Sequence, residues 1–343
     1  MDYVFVLVRS TPEGFILGKA NGIAGLRESE TDFQTQDKGA DGAPIRVSGD
    51  RSHGNIMRAG TRSQTVGIMT HEFGHSLGLP DLYDRKFSGP ADDSAGIGRW
   101  GLMGRGKASD GPRPFCPWSL EQLGWIGPDN DKLVAIGEDV TGLTIADLQQ
   151  GGQIYSIPFG TEFFAVGWGS ATYSPGYLLL EYRSRESYYN RNLPGEGLLV
   201  WHVRSRPANN NKEEKKLVDL ICADGLYDDE GNPNRQAGFD HLDFWAPDAR
   251  YRTAHKGNLG DETDPFDGRR RAHFGHESNP STDIDGSESD ARTGLDIQMR
   301  RDGDVMQVDV QLPRWAGSVN GMCGGWATSS STAISPLVPR AVW

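Results

Sequence analysis

The sequence predicts an α+β fold: one well-marked helix beside a sheet, then a β-rich lower half and a flexible tail. Three observations carry that expectation. Val66, Met69, Phe73 and Leu77 recur at helical spacing within Gln64 to Leu77. Short apolar runs bounded by Gly, Pro or Asn follow at Gln153 to Pro158, Glu162 to Gly167, Tyr177 to Tyr182 and Gly197 to Val203. The 343 residues include 45 Gly and 19 Pro, which favour turns, yet 36% apolar and 9% aromatic content is enough to pack a core.

Taken in order, residues 3 to 8 (YVFVLV) form a β-branched and aromatic run stopped by Ser10, Thr11 and Pro12, the pattern of a buried strand. Residues 20 to 63 are polar and Gly-rich, which predicts long loops around one strand near Ile45 to Val47. The helix over Gln64 to Leu77 is stopped by Gly78 and Leu79-Pro80. Residues 79 to 114 read as loop, and Pro117 to Gly124 as a short helix. After the four apolar runs, residues 205 to 290 are acidic and turn-rich, and Met306 to Leu312 alternates as an edge strand would. Residues 1–313 are expected to form one domain. Residues 314–343, with Gly/Ser bias and no period, read as a tail or linker.

Charge narrows the partners. With 35 Lys+Arg against 47 Asp+Glu the net charge is −12, which disfavours phosphate backbones and anionic membranes. No nucleic-acid partner is expected. No apolar stretch is long enough to span a bilayer, and the opening MDYVFVLVRSTPEG shows no basic region or cleavage site of an export signal. Cys116, Cys222 and Cys323 lie far apart without a Cys-x-x-Cys pair, so at most one disulfide is possible and no zinc ribbon is read.

The chemistry concentrates in His71-Glu72-Phe73-Gly74-His75. On a helix, histidines at i and i+4 stack one turn apart on one face, so both imidazoles reach a single Zn²⁺. Glu72 then stands where a carboxylate takes a proton from water and hands it to a leaving amine. The run continues with Gly78 and Asp81 in the extended zincin spacing, in which a glycine lets the chain turn and return a third ligand. Asp81 has an ordinary alternative as a turn cap. Glu181, a carboxylate inside the apolar YLLLEY strand, is the alternative third ligand, or else pairs with an arginine such as Arg183. His202 is read as a core histidine or a partner of the zinc site, and Tyr83, Tyr182, Tyr188 and Tyr189 as candidate oxyanion donors or packing residues. Acidic loops at Asp81/Asp84, Asp92/Asp93 and Asp261/Glu262/Asp264/Asp267 have the hard oxygen donors of Ca²⁺ sites, with Asp261, Asp264 and Asp267 the best candidates. Solvated turns are the alternative.

The segments HEFGHSLGLPDLYD, GRWGLMGRG, YLLLEYRSRESYYNRNLPGEGLLVWHV, DLICADG and GDETDPFDG, in that order, resemble the immune inhibitor A-like metallopeptidases. The resemblance runs from about Asp2 to Leu312. It implies a zincin-like catalytic domain and a secreted zinc endopeptidase that takes protein or peptide substrates; a monomer is expected. It also implies that Met103 floors the metal site as a Met-turn residue. In that family a signal and pro-segment precede the catalytic domain, so a start at residue 1 implies a fragment or a displaced start. Two other readings stay open: a noncatalytic extracellular module that keeps a metal site for folding, and a zinc hydrolase acting on a nonpeptide bond. Glu72 discriminates against the first, because a structural zinc site is closed by a fourth protein ligand and needs no base.

Overall fold

The computed structural model describes residues 4–7, 22–25, 33–47, 54–58, 62–85, 94–108, 111–166, 170–204, 208–212, 216–224, 259–282 and 294–313. In chain order the strands are β1 (Val4–Leu7), β2 (Gly22–Gly25), β3 (Phe33–Lys38), β4 (Pro44–Val47), β5 (Gly54–Arg58), β6 (Lys107–Ala108), β7 (Gly111–Pro112), β8 (Leu133–Ala135), β9 (Val140–Ala146), β10 (Ile154–Val166), β11 (Ser170–Arg183), β12 (Gly197–Val203), β13 (Val218–Ile221), β14 (His273–Phe274), β15 (Asp296–Asp302) and β16 (Val305–Gln311). The α-helices among the described residues are α1 (Arg62–Ser76) and α2 (Pro117–Gln122). Few helices against mixed sheets agree with the α+β class.

A five-stranded sheet, β13-β12-β11-β10-β8, forms the middle layer. On one face Leu178, Leu180 and Tyr182 of β11 and Leu198 and Val200 of β12 pack against Ile297, Met299, Met306, Val308 and Val310 of a second sheet ordered β14-β15-β16-β9. On the other, Leu179, Leu199, Trp201 and Val203 pack against Leu79, Leu82, Ile97, Trp100, Met103 and Trp118. Successive strand residues point to opposite faces. Because both faces of β12 are covered, all seven of its residues are buried, and GLLVWHV reads as a continuous apolar run rather than an alternation. Each fully buried leucine here contributes about 1.5–3 kcal/mol.

Several expectations are corrected. Residues 20 to 63 carry β2, β3, β4 and β5 rather than one strand in loop: β5 lies between β1, which it joins in parallel, and β2, which it joins antiparallel, while β3 and β4 form a hairpin. Such Gly-containing segments become strands through nonlocal pairing, which local composition does not reveal. The runs at 153–158 and 162–167 belong to one strand, β10, with a register shift between Phe159 and Glu162. Pro158 fits there because β8 pairs only with Ile154 to Ser156, so the missing N–H is not needed on that side. The strand at the C-terminal end, β16, is internal, flanked by β15 and β9; its alternation records one buried face, Met306, Val308 and Val310, not an edge. Cys116 and Cys222 are both buried. Cys323 and the whole 314–343 tail lie outside the described residues.

Candidate metal centre

The last turn of α1 ends in a Schellman cap. Gly78 sits at φ +98°, its N–H donates to His75 O at 3.0 Å, and the N–H of Leu79 donates to Gly74 O at 3.0 Å. Only this left-handed step swings the chain back along the helix, where Leu79 O meets His75 and Asp81 meets both histidines. Leu79 itself is buried in the core below, which anchors the return.

Within this turn the three candidate ligands converge. His71 Nδ1 lies 2.7 Å from Leu102 O, and His75 Nδ1 lies 2.8 Å from Leu79 O. A carbonyl only accepts, so both Nδ1 atoms carry a proton, and in the neutral rings both Nε2 atoms present lone pairs. Those Nε2 atoms are 3.1 and 3.3 Å from Asp81 Oδ1, and the three ligand atoms lie within 4.8 Å of one another. Two imidazole lone pairs facing a carboxylate oxygen repel unless a proton or a cation lies among them. The donor set, two nitrogens and one oxygen, fits Zn²⁺.

The electrostatics agree. Burial works against charge on His75, but the hydrogen bond and negative charge of Asp81, with help from Leu79 O and Glu72, raise its pKa. Burial likewise opposes ionisation of Asp81, and the two histidines outweigh it, holding the carboxyl far below the usual range. The cluster favours an ionised carboxylate beside positive charge.

Two neighbours orient Asp81. Arg85 Nε stands 3.2 Å from Asp81 Oδ2, on the side away from the histidines. Tyr83 hydrogen-bonds Asp81, stacks near His71 at 6.3 Å between ring centroids, and carries the Arg105 guanidinium 4.0 Å over its own ring. Burial and the Asp81 charge raise the Tyr83 pKa. Arg85 has no sequence signal, because it stands in a loop where spacing carries no period.

A close approach seats α1 at Gly74. Met103 is fully buried, its O accepts from Leu82 N at 2.9 Å, and its Sδ lies where a Cβ on Gly74 would be only 2.6 Å away. Across α1 from the histidines, Val66, Met69, Phe73 and Leu77 border an apolar cavity of about 590 Å³ that Phe115 and Trp125 also line.

Other predicted residues lie elsewhere. Glu181 is not in the cluster: its Oε1 is 2.8 Å from Arg183 Nε, and its Oε2 accepts from Trp201 Nε1 at 3.1 Å. His202 shares the β12 face of Leu198 and Val200, turned away from the histidines, with Phe159 edge-on at 5.0 Å. Burial, reinforced by Arg204, pushes its pKa down to about 3. Tyr182 is buried in the core between the two sheets, while Tyr188 and Tyr189 are exposed and pack edge-on against each other. Of the four tyrosines named, only Tyr83 joins the cluster.

The calcium expectation gains no support. Asp261 Oδ1 accepts from the N–H and hydroxyl of Thr263, Asp264 Oδ2 from Trp100 Nε1 and Asp261 N, and Asp267 Oδ1 from the N–H groups of Arg269, Arg270 and Arg271. Asp261 and Asp267 brace their own loop as turn residues do, and Asp264 also ties that loop to Trp100. Asp264 groups instead with Cys222 and Asp224. Asp84 is buried outside the histidine cluster, and Asp92 and Asp93 lie outside the described residues.

No curated protein and no solved structure matches the chain. Residues 52–113, the segment that holds His71, Glu72, His75, Asp81 and Met103, match the family model of the immune inhibitor A peptidase M6, catalytic domain.

Proposed function

We propose that the protein is an extracellular zinc endopeptidase of zincin type, with Zn²⁺ held by His71, His75 and Asp81 and with Glu72 as general base. The metallopeptidase assignment follows the family match. The observation that best supports the finer reading is the convergence of two imidazole Nε2 atoms on Asp81 Oδ1, each ring held by a carbonyl on its other nitrogen. Among the described residues the cluster offers three candidate protein ligands, the number that leaves a zinc ion open to substrate, whereas a structural site takes four. We read residues 1–313 as the catalytic domain and 314–343 as a tail. No described helix is long and apolar enough to cross a membrane.

Bound zinc would supply Lewis-acid polarisation of the scissile carbonyl and a lowered pKa for the attacking water. The chain does the rest. Leu102 O and Leu79 O fix the two imidazole tautomers, so neither ring has to reorient when the ion is bound. Tyr83 and Arg85 turn the Asp81 carboxylate so that Oδ1 faces the histidines. Glu72, next to His71 on α1 and only partly buried, accepts the proton of the attacking water at its carboxylate and returns it to the departing amine nitrogen. No side chain forms a covalent intermediate in this scheme.

Casein or gelatin hydrolysis tests the reading. The purified chain should cleave either protein, lose the activity to a zinc chelator and regain it on addition of Zn²⁺. Cleavage that is indifferent to chelation would contradict it.

A further inference from the structure

The carboxylate of Glu181 has a partner whose reach extends to the metal centre. Arg183 is the last residue of β11 and is 1% exposed. Besides its ion pair with Glu181, its Nη1 donates to Trp100 O at 2.7 Å and its Nη2 to Phe115 O at 3.1 Å. Both carbonyls belong to segments outside the middle sheet. Those segments run side by side, joined by Leu102 N to Pro114 O at 3.0 Å and Arg113 N to Gly106 O at 2.8 Å.

Two residues beyond Trp100 is Leu102, whose carbonyl accepts the His71 Nδ1 proton; next comes Met103, seated against Gly74. Phe115 touches the same spot, since its Cε1 lies 3.3 Å from where a Gly74 Cβ would stand. One planar guanidinium therefore clips together the two segments that form the seat of α1 and supply the acceptor for a candidate zinc histidine. Stability alone does not account for it: a buried ion pair is often no better than a well-packed apolar pair of the same volume. What apolar side chains lack is a rigid fork of N–H donors that reads two carbonyls at once.

We propose that Arg183 is a positioning residue for the metal centre: by holding Trp100 O and Phe115 O it places Leu102 O under His71 and so fixes the imidazole for metal. This rests on the zinc reading above. Arg183→Lys keeps the charge beside Glu181 but cannot grip both carbonyls. Its test uses metal-free protein well below its melting temperature. Zinc affinity is measured by competition with a chromogenic chelator, and the His71 tautomer by side-chain ¹⁵N shifts. The expected result is a roughly 10- to 100-fold weaker zinc affinity, the usual effect of losing a partner behind a metal histidine, together with a His71 ring no longer held in the single Nδ1–H form. A folded Arg183→Lys with wild-type zinc affinity and tautomer would overturn the proposal, since a purely stabilising role moves the melting point and neither of these.

Should Arg183→Lys fail to fold, Glu181→Leu combined with Arg183→Met removes both charges together, and the same two readouts decide in the same way. Failure of the zinc reading is distinguishable, because then the unmodified chain itself binds no zinc at the cluster.

Discussion

Gly74 and Met103 meet so closely that a methyl group on residue 74 would lie 2.6 Å from the Met103 sulfur. Replacing a helical glycine by alanine ordinarily stabilises a helix by about 1 kcal/mol. Here the sign reverses. Met103 is fully buried, with Phe115 closing the other side, so Gly74→Ala should destabilise the protein by about 1–3 kcal/mol as an overpacked core does. Urea unfolding of the two proteins checks this; an unchanged or raised midpoint would mean that Met103 is free to move aside.

Gly78 tests the turn rather than the packing at Gly74. A Cβ there meets nothing within 4 Å, so only backbone conformation opposes a side chain at φ +98°. Gly78→Ala should cost about 1–2 kcal/mol and weaken zinc binding, because Leu79 O and Asp81 both depend on that step. Thermal melting with and without Zn²⁺ separates the two effects.

The third ligand is tested by the zinc-induced rise in melting temperature, which any ion bound only to the native state must produce. Asp81→Ala should abolish the rise. Glu181→Ala should retain a rise from a much lower starting point, since stripping Arg183 of its buried counter-charge costs about 3–5 kcal/mol. The opposite pattern would make Glu181 the ligand.

His202 makes stability depend on acid. Its folded pKa is depressed to about 3 from the ordinary 6.5, so below 6.5 the unfolded chain takes up a proton that the native state refuses. The stabilisation is complete above 6.5 and is lost as the pH falls toward 3. At about 1.4 kcal/mol per tenfold difference in proton affinity, the loss between pH 7 and pH 4.5 is about 2–3 kcal/mol. His202→Gln should remove that part of the slope; urea midpoints that fall equally in both proteins would show that other groups carry it.

What was legible in the sequence was local. The period of Val66, Met69, Phe73 and Leu77 marked α1, and the offsets from His71 to Asp81 marked a cluster that needs only one helix and one glycine turn to assemble. The Glu181–Arg183 pair was also within reach, since residues i and i+2 share a strand face. The contacts that seat the cluster were not: Arg183 reaches Trp100 and Phe115 across 83 and 68 positions, and Trp100 reaches Asp264 across 164. Nothing in a local window encodes such pairings. The same holds for β2 and β5, which become strands only because distant segments supply their partners, and for β16, whose alternation reports a buried face but not how many neighbours flank it.

Glu72→Gln gives the most direct test of the proposed chemistry, because it removes the proton acceptor while leaving His71, His75 and Asp81 in place. Zinc content and casein hydrolysis are measured on the same preparation. The mechanism predicts that the variant keeps its zinc and that hydrolysis falls by at least about 100-fold, the scale of a lost general base; a zinc-loaded Glu72→Gln protein that cleaves casein at near the original rate would contradict it.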